Sequence, residues 1–186
     1  MSEWFETLEG LRARVWQRLG RGVADRRAPA RHPTLATVGE DGAPEARTVV
    51  LRGASEGAGS VTIYTDAASA KVAELAREPR AALHVWEPKD RLQIRLALTV
   101  TVRTGAALDP LWDALSPEAR RAYGGWPEPG VPIDDPVADY AETRERARFA
   151  VLEGRVERIE ALHLGEWHRR ADYSRADGFA GAWIAP

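Results

Sequence analysis

Apolar positions in the first twenty residues recur at helical spacing. Trp4, Phe5, Leu8, Leu11, Val15, Trp16 and Leu19 fall three and four apart with charged residues between them, which predicts an amphipathic helix over residues 1–20, ending at Gly20. Such a helix needs a surface to lie on. Residues 21–33 are basic, contain proline and have no period, so they read as a connecting loop. From Thr34 the period shortens to runs of Val, Thr, Ile and Leu cut by turn residues. Residues 35–53 read as two strands joined at Glu40-Asp41-Gly42, because Asp-Gly supplies the positive φ of a tight hairpin. Residues 60–66 form a further strand, 69–77 a short helix closed by Pro79, and 80–87 with 91–105 a second hairpin around Pro88-Lys89-Asp90.

The second half is less regular. Residues 108–123 read as a helix with Asp109 or Ser116 as N-cap. Residues 124–136 are a proline- and glycine-rich loop that must owe its order to tertiary contacts. Residues 139–146 suggest a helical turn, 147–165 and 166–176 two more strands, and the chain closes on Gly181-Ala182-Trp183-Ile184-Ala185-Pro186. Six or seven strands in hairpins with few helices predict a mainly β (α+β) fold, a closed or nearly closed antiparallel barrel with peripheral helices. A doubly wound parallel sheet is not expected, since the strands do not alternate with full-length helices. No repeat or linker divides the 186 residues, so a single domain is expected, a helix over 1–20 followed by a barrel over 33–186.

Charge adds a constraint. The chain has 26 basic and 28 acidic residues, a formal balance of −2, so it carries no general field for nucleic acid or anionic lipid and must hold any anion by a local cluster. Lys71 and Lys89 are the two lysines in an arginine- and alanine-rich chain. Single arginines therefore say little, whereas a lysine that resists the bias is a mild clue. Cysteine is absent, which removes disulfides, thiol nucleophiles and Cys-ligated metals. The charges within residues 1–20 give neither a signal peptide's apolar run nor a membrane span, so a soluble cytoplasmic protein is expected.

Common catalytic signatures do not occur. Gly53, Gly57 and Gly59 fall between strands rather than between strand and helix, so no phosphate-binding glycine loop forms. His32, His84, His163 and His168 lack metal-ligand spacing; the last two, five apart in a strand, would face opposite ways, and no metal is expected. No serine nucleophile motif or convincing acid–base residue emerges, so the catalytic residues stay unassigned.

One ordered set of segments is informative. Arg47-Thr48-Val49-Val50-Leu51-Arg52 reads as a strand with a basic residue at each end, Tyr64-Thr65 closes another, Ser69 and Lys71 open a helix, and Gln93 lies on a later strand. Their order resembles the FMN-binding split-barrel flavoproteins of the pyridoxamine 5′-phosphate oxidase-like group. Trp86-Glu87-Pro88, Pro129-Gly130, His168-Arg169-Arg170 and Trp183-Ile184-Ala185-Pro186 extend the likeness over roughly residues 33–186. The pattern is nearest an uncharacterised FMN-binding branch rather than the vitamin-pathway oxidase. The resemblance implies a split antiparallel Greek-key barrel, FMN as cofactor, and a homodimer with the flavin at the subunit interface. Arg47, Val49, Leu51, Tyr64, Thr65, Lys71 and Gln93 fall where the group touches its flavin, and Arg170 where a late arginine reaches it, usually from the partner subunit.

Physical chemistry gives these residues matching parts. An FMN phosphate carries close to two negative charges and favours cations at a helix start, where Ser69 and Lys71 stand near Arg47 and Arg52. Gln93 offers a carboxamide to the ring edge, as does the backbone of Val49, Val50 and Leu51. Three departures bear on activity. The group's paired basic residues at the helix start are reduced to Ala70-Lys71, the segment that would hold a pyridoxal phosphate lacks matching residues over Leu111–Ala119, and Glu166 stands where a substrate-binding cation is expected. Like-charge repulsion at Glu166 argues against pyridoxamine 5′-phosphate as substrate. Trp167 and His168 remain as substrate-side candidates. The favoured expectation is an FMN-dependent oxidoreductase acting through flavin N5. The alternatives are a non-catalytic flavin or haem carrier, with His84, His163 or His168 as axial ligand, and pyridoxamine 5′-phosphate oxidase itself.

Overall fold

The computed structural model describes residues 3–186. Helix α1 (Leu8–Ala24) buries Leu11, Val15, Trp16 and Leu19 against the sheet, so the amphipathic pattern is realised, four residues beyond Gly20. The start is later than the apolar spacing suggests because Thr7 is the N-cap, accepting from Gly10 N, and Trp4 and Phe5 lie in the turn before it. The expected loop over 21–33 is thus shortened by the last helical turn and includes a 3₁₀ turn at Pro29–Arg31.

Strands β1 (Thr34–Val38) and β2 (Pro44–Thr48) form the first hairpin, with Gly42 at φ +86°. The run expected as one strand through Arg52 is two: it breaks at Val49-Val50, and β3 (Leu51–Ser55) leaves β2 to pair with β4 (Ser60–Asp66). Helix α2 (Ala70–Arg77) follows, then the hairpin of β5 (Arg80–Glu87) and β6 (Leu92–Arg103). The predicted helix over 108–123 is instead α3 (Asp109–Asp113) and α4 (Pro117–Arg120), separated because Pro117 lacks the amide a continuous helix would need and Ser116 caps the second piece through Ala119 N. The helical turn expected over 139–146 is extended at Ala141–Glu142 (β8), which pairs with β7 (Gly125–Trp126). Strands β9 (Phe149–Leu164), β10 (His168–Ser174) and β11 (Ala182–Ile184) complete the chain.

Among the described residues nine strands form the sheet, in the order β11-β10-β9-β6-β5-β1-β2 with β3 and β4 joined at β9. The count exceeds six or seven because the second run splits and Ala182–Ile184 adds an edge. β9 is the pivot: β6 runs along one edge, while the other edge serves β4 over Phe149–Arg155 and β10 over Arg158–Leu164. Arg175 secures the change-over, donating from Nε to the Val156 carbonyl and from Nη2 to that of Gly59. The fold is therefore a split antiparallel barrel with α1 packed across its core. A second cluster, Leu108, Trp112, Tyr123, Phe149 and Val151, packs the helical segment and loop against the sheet. Among the described residues no helix is long and apolar enough to cross a membrane.

Candidate functional site

The hairpin β1–β2, the end of β4 and the start of α2 bring four of the predicted residues together. Lys71 Nζ donates to Thr65 Oγ1 at 3.2 Å, Thr65 Oγ1 lies 3.1 Å from Ser69 Oγ, and Ser69 Oγ donates to the Asp66 carbonyl at 2.7 Å. Ser69 is the N-cap residue of α2, although its hydroxyl turns back to Asp66 rather than capping an amide. Arg47 reaches the cluster from β2, pairing with Glu74 Oε2 at 2.9 Å and touching Thr37 Oγ1.

The local charges are unequally committed. Glu74 is held by Arg47, and Asp66 by Arg148 at 2.8 Å and by the Gly124 amide at 2.7 Å. Lys71 is half-buried with a hydroxyl contact and, among the described residues, no carboxylate at ion-pair distance. Burial and the positive charge of Arg47 hold its ammonium below the ordinary lysine range. A cation in that state is suited to an incoming anion.

Arg52 and Tyr64 form a separate group, since Tyr64 and Thr65 are successive residues of β4 and face opposite ways. The Arg52 guanidinium carbon sits 5.6 Å from the Tyr64 ring centroid, and among the described residues its buried Nε has no hydrogen-bond partner. Val50, in the break between β2 and β3, lines an open cleft with Arg52, Arg26, Arg31 and Ser116. The flanking backbone is used within the fold: Val49 N donates to the Pro33 carbonyl, and the Leu51 carbonyl accepts from Arg31. Leu51 itself is core.

The remaining predicted residues lie on the outer face of the sheet. Register places Trp86, Gln93, Leu162, Arg170 and Ile184 in one row across β5, β6, β9, β10 and β11. Thr48 is in the next row, with Thr34, His84, Arg95 and Glu160. Arg170 is not free in this chain: it pairs with Glu160 at 3.0 Å, while its buried Nε lacks a partner. Gln93 and Arg170 thus share a row, separated from the Lys71 cluster.

Of the residues expected on the substrate side, Trp167 is exposed with Glu166 in the turn before β10, and His168 is exposed at its first residue. His163 and His168 are not on one strand, as expected, but on paired neighbours, with His163 opposite Arg169. His163 is stacked on Phe5 at 4.3 Å with Trp4 edge-on, which buries it beneath the N-terminal segment and removes it from the plausible haem ligands. Sequence reasoning missed Glu74 and Thr37, which hold Arg47. Glu74 had a readable signal, an acid one helical turn after Lys71.

Comparison with known proteins gives a consistent family. Residues 13–104 match the family model described as pyridoxamine 5′-phosphate oxidase, FMN-binding domain. A pyridoxine/pyridoxamine 5′-phosphate oxidase of Rhodopseudomonas palustris is 32% identical over 152 residues, 82% of this chain and 62% of the relative. One from Thermosynechococcus vestitus is 33% identical over 133 residues, 72% of this chain and 55% of the relative. The matched stretches thus span about half to three-fifths of those curated relatives. The crystal structure of a pyridoxamine 5′-phosphate oxidase-related, FMN-binding protein from Nostoc punctiforme superposes with a TM-score of 0.75 at 29% identity, covering 100% of this chain and 98% of that one.

Proposed function

Because the chain belongs to the pyridoxamine 5′-phosphate oxidase-like family of FMN-binding proteins, we propose that it binds FMN and acts as an FMN-dependent oxidoreductase on a small molecule. The observation that carries this reading is Lys71, a half-buried ammonium without a carboxylate partner beside the Thr65 and Ser69 hydroxyls. In the proposal Lys71 and Arg47 hold the phosphate, and the Thr65 and Ser69 hydroxyls turn from their partners within the chain to donate hydrogen bonds to it. Arg52 and Tyr64 border the ring side with Thr48, Val49, Val50 and Leu51. Gln93 offers its carboxamide to the ring edge.

The orphaned Nε atoms of Arg52 and Arg170 fit the group, since each is a buried donor awaiting an acceptor. The separation of Gln93 and Arg170 from the Lys71 cluster supports a homodimer, in which the outer-face row of one protomer completes the pocket of the other. Flavin supplies hydride transfer through N5; the protein binds, orients and excludes water. Glu166 in the turn before β10 supports a substrate other than a phosphorylated pyridoxamine, because an acid there repels a phosphate.

Titration of the apoprotein with FMN tests the reading. Quenching of flavin fluorescence that saturates at one FMN per chain is expected, as is loss of binding in the Arg47→Ala, Lys71→Ala double variant. Absence of saturable quenching by the wild-type protein would overturn it.

A further inference from the structure

A second cleft, of about 510 Å³, lies between the C-terminal end of α1, the turn after it and the β5–β6 hairpin. Glu87 lines it and is 3% exposed. Buried carboxylates are ordinarily paired with cations, and the others in this chain obey the rule. Asp66 pairs with Arg148, Glu74 with Arg47, and Glu160 with Arg95 and Arg170. Among the described residues Glu87 has no cation at ion-pair distance, and it accepts from the Ala30 amide at 3.2 Å. Its carboxyl is pushed up by burial and by Asp90, while Arg18 and Arg21 at longer range draw it down.

The rim has the opposite imbalance. Arg18 is committed to Asp90 with contacts of 2.5 and 2.7 Å, and Arg21 to Asp25 at 3.4 Å. Arg27 and Lys89, both exposed, have no carboxylate at ion-pair distance among the described residues. One cleft therefore holds an acid lacking a cation and two cations lacking an acid. They do not neutralise one another, because Glu87 is buried while Arg27 and Lys89 are exposed and none of them lies at ion-pair distance from another among the described residues.

We propose that this cleft is a binding site for a small zwitterion of the amino-acid type, its ammonium group on Glu87 and its oxyanion on Arg27 and Lys89. Recognition uses complementary charge at both ends, so a molecule bearing either charge alone forfeits half of the interaction. The site is separate from the Lys71 cluster and does not depend on the flavin reading.

Glycine, β-alanine and γ-aminobutyrate, with butyrate and butylamine as single-charge controls, are titrated into the purified full chain while amide ¹H–¹⁵N shifts are followed. At least one zwitterion is expected to bind about tenfold more tightly than either control, with shifts at Ala30 and Lys89. Glu87→Gln keeps the acceptor for Ala30 N, and it is expected to reduce that affinity to the level of butyrate. The exposed pair Arg27→Ala, Lys89→Ala reduces it to the level of butylamine. No saturable shift with any zwitterion, equal affinity for the controls, or binding unchanged in both variants overturns the proposal. A concurrent FMN titration reports separately on the other site.

Discussion

At the scale of single residues the decisive contrast is between Lys71 and Arg47. Arg47 already neutralises Glu74, whereas Lys71 contacts the Thr65 hydroxyl, so in the proposed site the phosphate affinity is predicted to rest mainly on the lysine. Charge-assisted hydrogen bonds of this kind contribute about 1.5–3 kcal/mol, so Lys71→Ala is predicted to weaken FMN binding about 10- to 100-fold in a fluorescence titration. Arg47→Ala has a different signature. It leaves Glu74 buried and unpaired, so it is predicted to lower unfolding stability by about 3 kcal/mol in denaturant melts as well as weaken FMN. The depressed Lys71 ammonium also sets a pH dependence: FMN affinity is predicted to fall as pH rises through an alkaline range below the usual lysine value of 10.5, and to do so less in Lys71→Arg. An affinity flat across that range would remove Lys71 from the phosphate.

At the scale of elements, the N-terminal segment and the end of β9 form one unit. Phe5 stacks on His163, Trp4 packs edge-on, Arg169 lies over Phe5 and Arg14 over Trp4. Burial and the nearby charges of Arg169, Arg91 and His168 hold the imidazole below its ordinary value, opposed by Asp90. The stability this histidine contributes is complete above about pH 6.5 and is lost as pH falls through its lower folded value. Wild-type melting temperature is therefore predicted to drop more steeply below pH 6.5 than that of His163→Phe. Helix α1 depends on another contact: a Cβ at Gly22 would lie 2.6 Å from the Ala30 backbone, so Gly22→Ala is predicted to cost about 1–3 kcal/mol by overpacking.

These elements also mark how far the sequence could be read. Regular periodicity made α1, α2 and the two hairpins legible, and the order of the Arg47, Tyr64, Ser69 and Gln93 segments made the family legible. The break at Val49-Val50 was not, because apolar β-branched residues continue through it and only long-range pairing with β4 turns β3 aside. Nor was the split of 108–123, where helical spacing masked Pro117. The Glu74 partner of Arg47 comes from an element 27 residues away, a distance that local pattern does not encode.

At the scale of the molecule, β9 holds the architecture together by serving β6 on one edge and β4 and β10 on the other. That arrangement puts the Lys71 cluster and the Gln93–Arg170 row on different parts of one chain. A second copy that completes the pocket is the economical arrangement, and light scattering is predicted to give twice the 20.5 kDa chain mass. A monomer that binds FMN at full affinity would contradict that geometry. The most direct test of the central claim is the visible absorbance spectrum of the purified protein, followed by mass identification of whatever denaturation releases. A flavin spectrum with FMN released at about one per chain is the predicted result. A colourless protein that also fails to acquire a flavin spectrum on incubation with FMN would contradict the account.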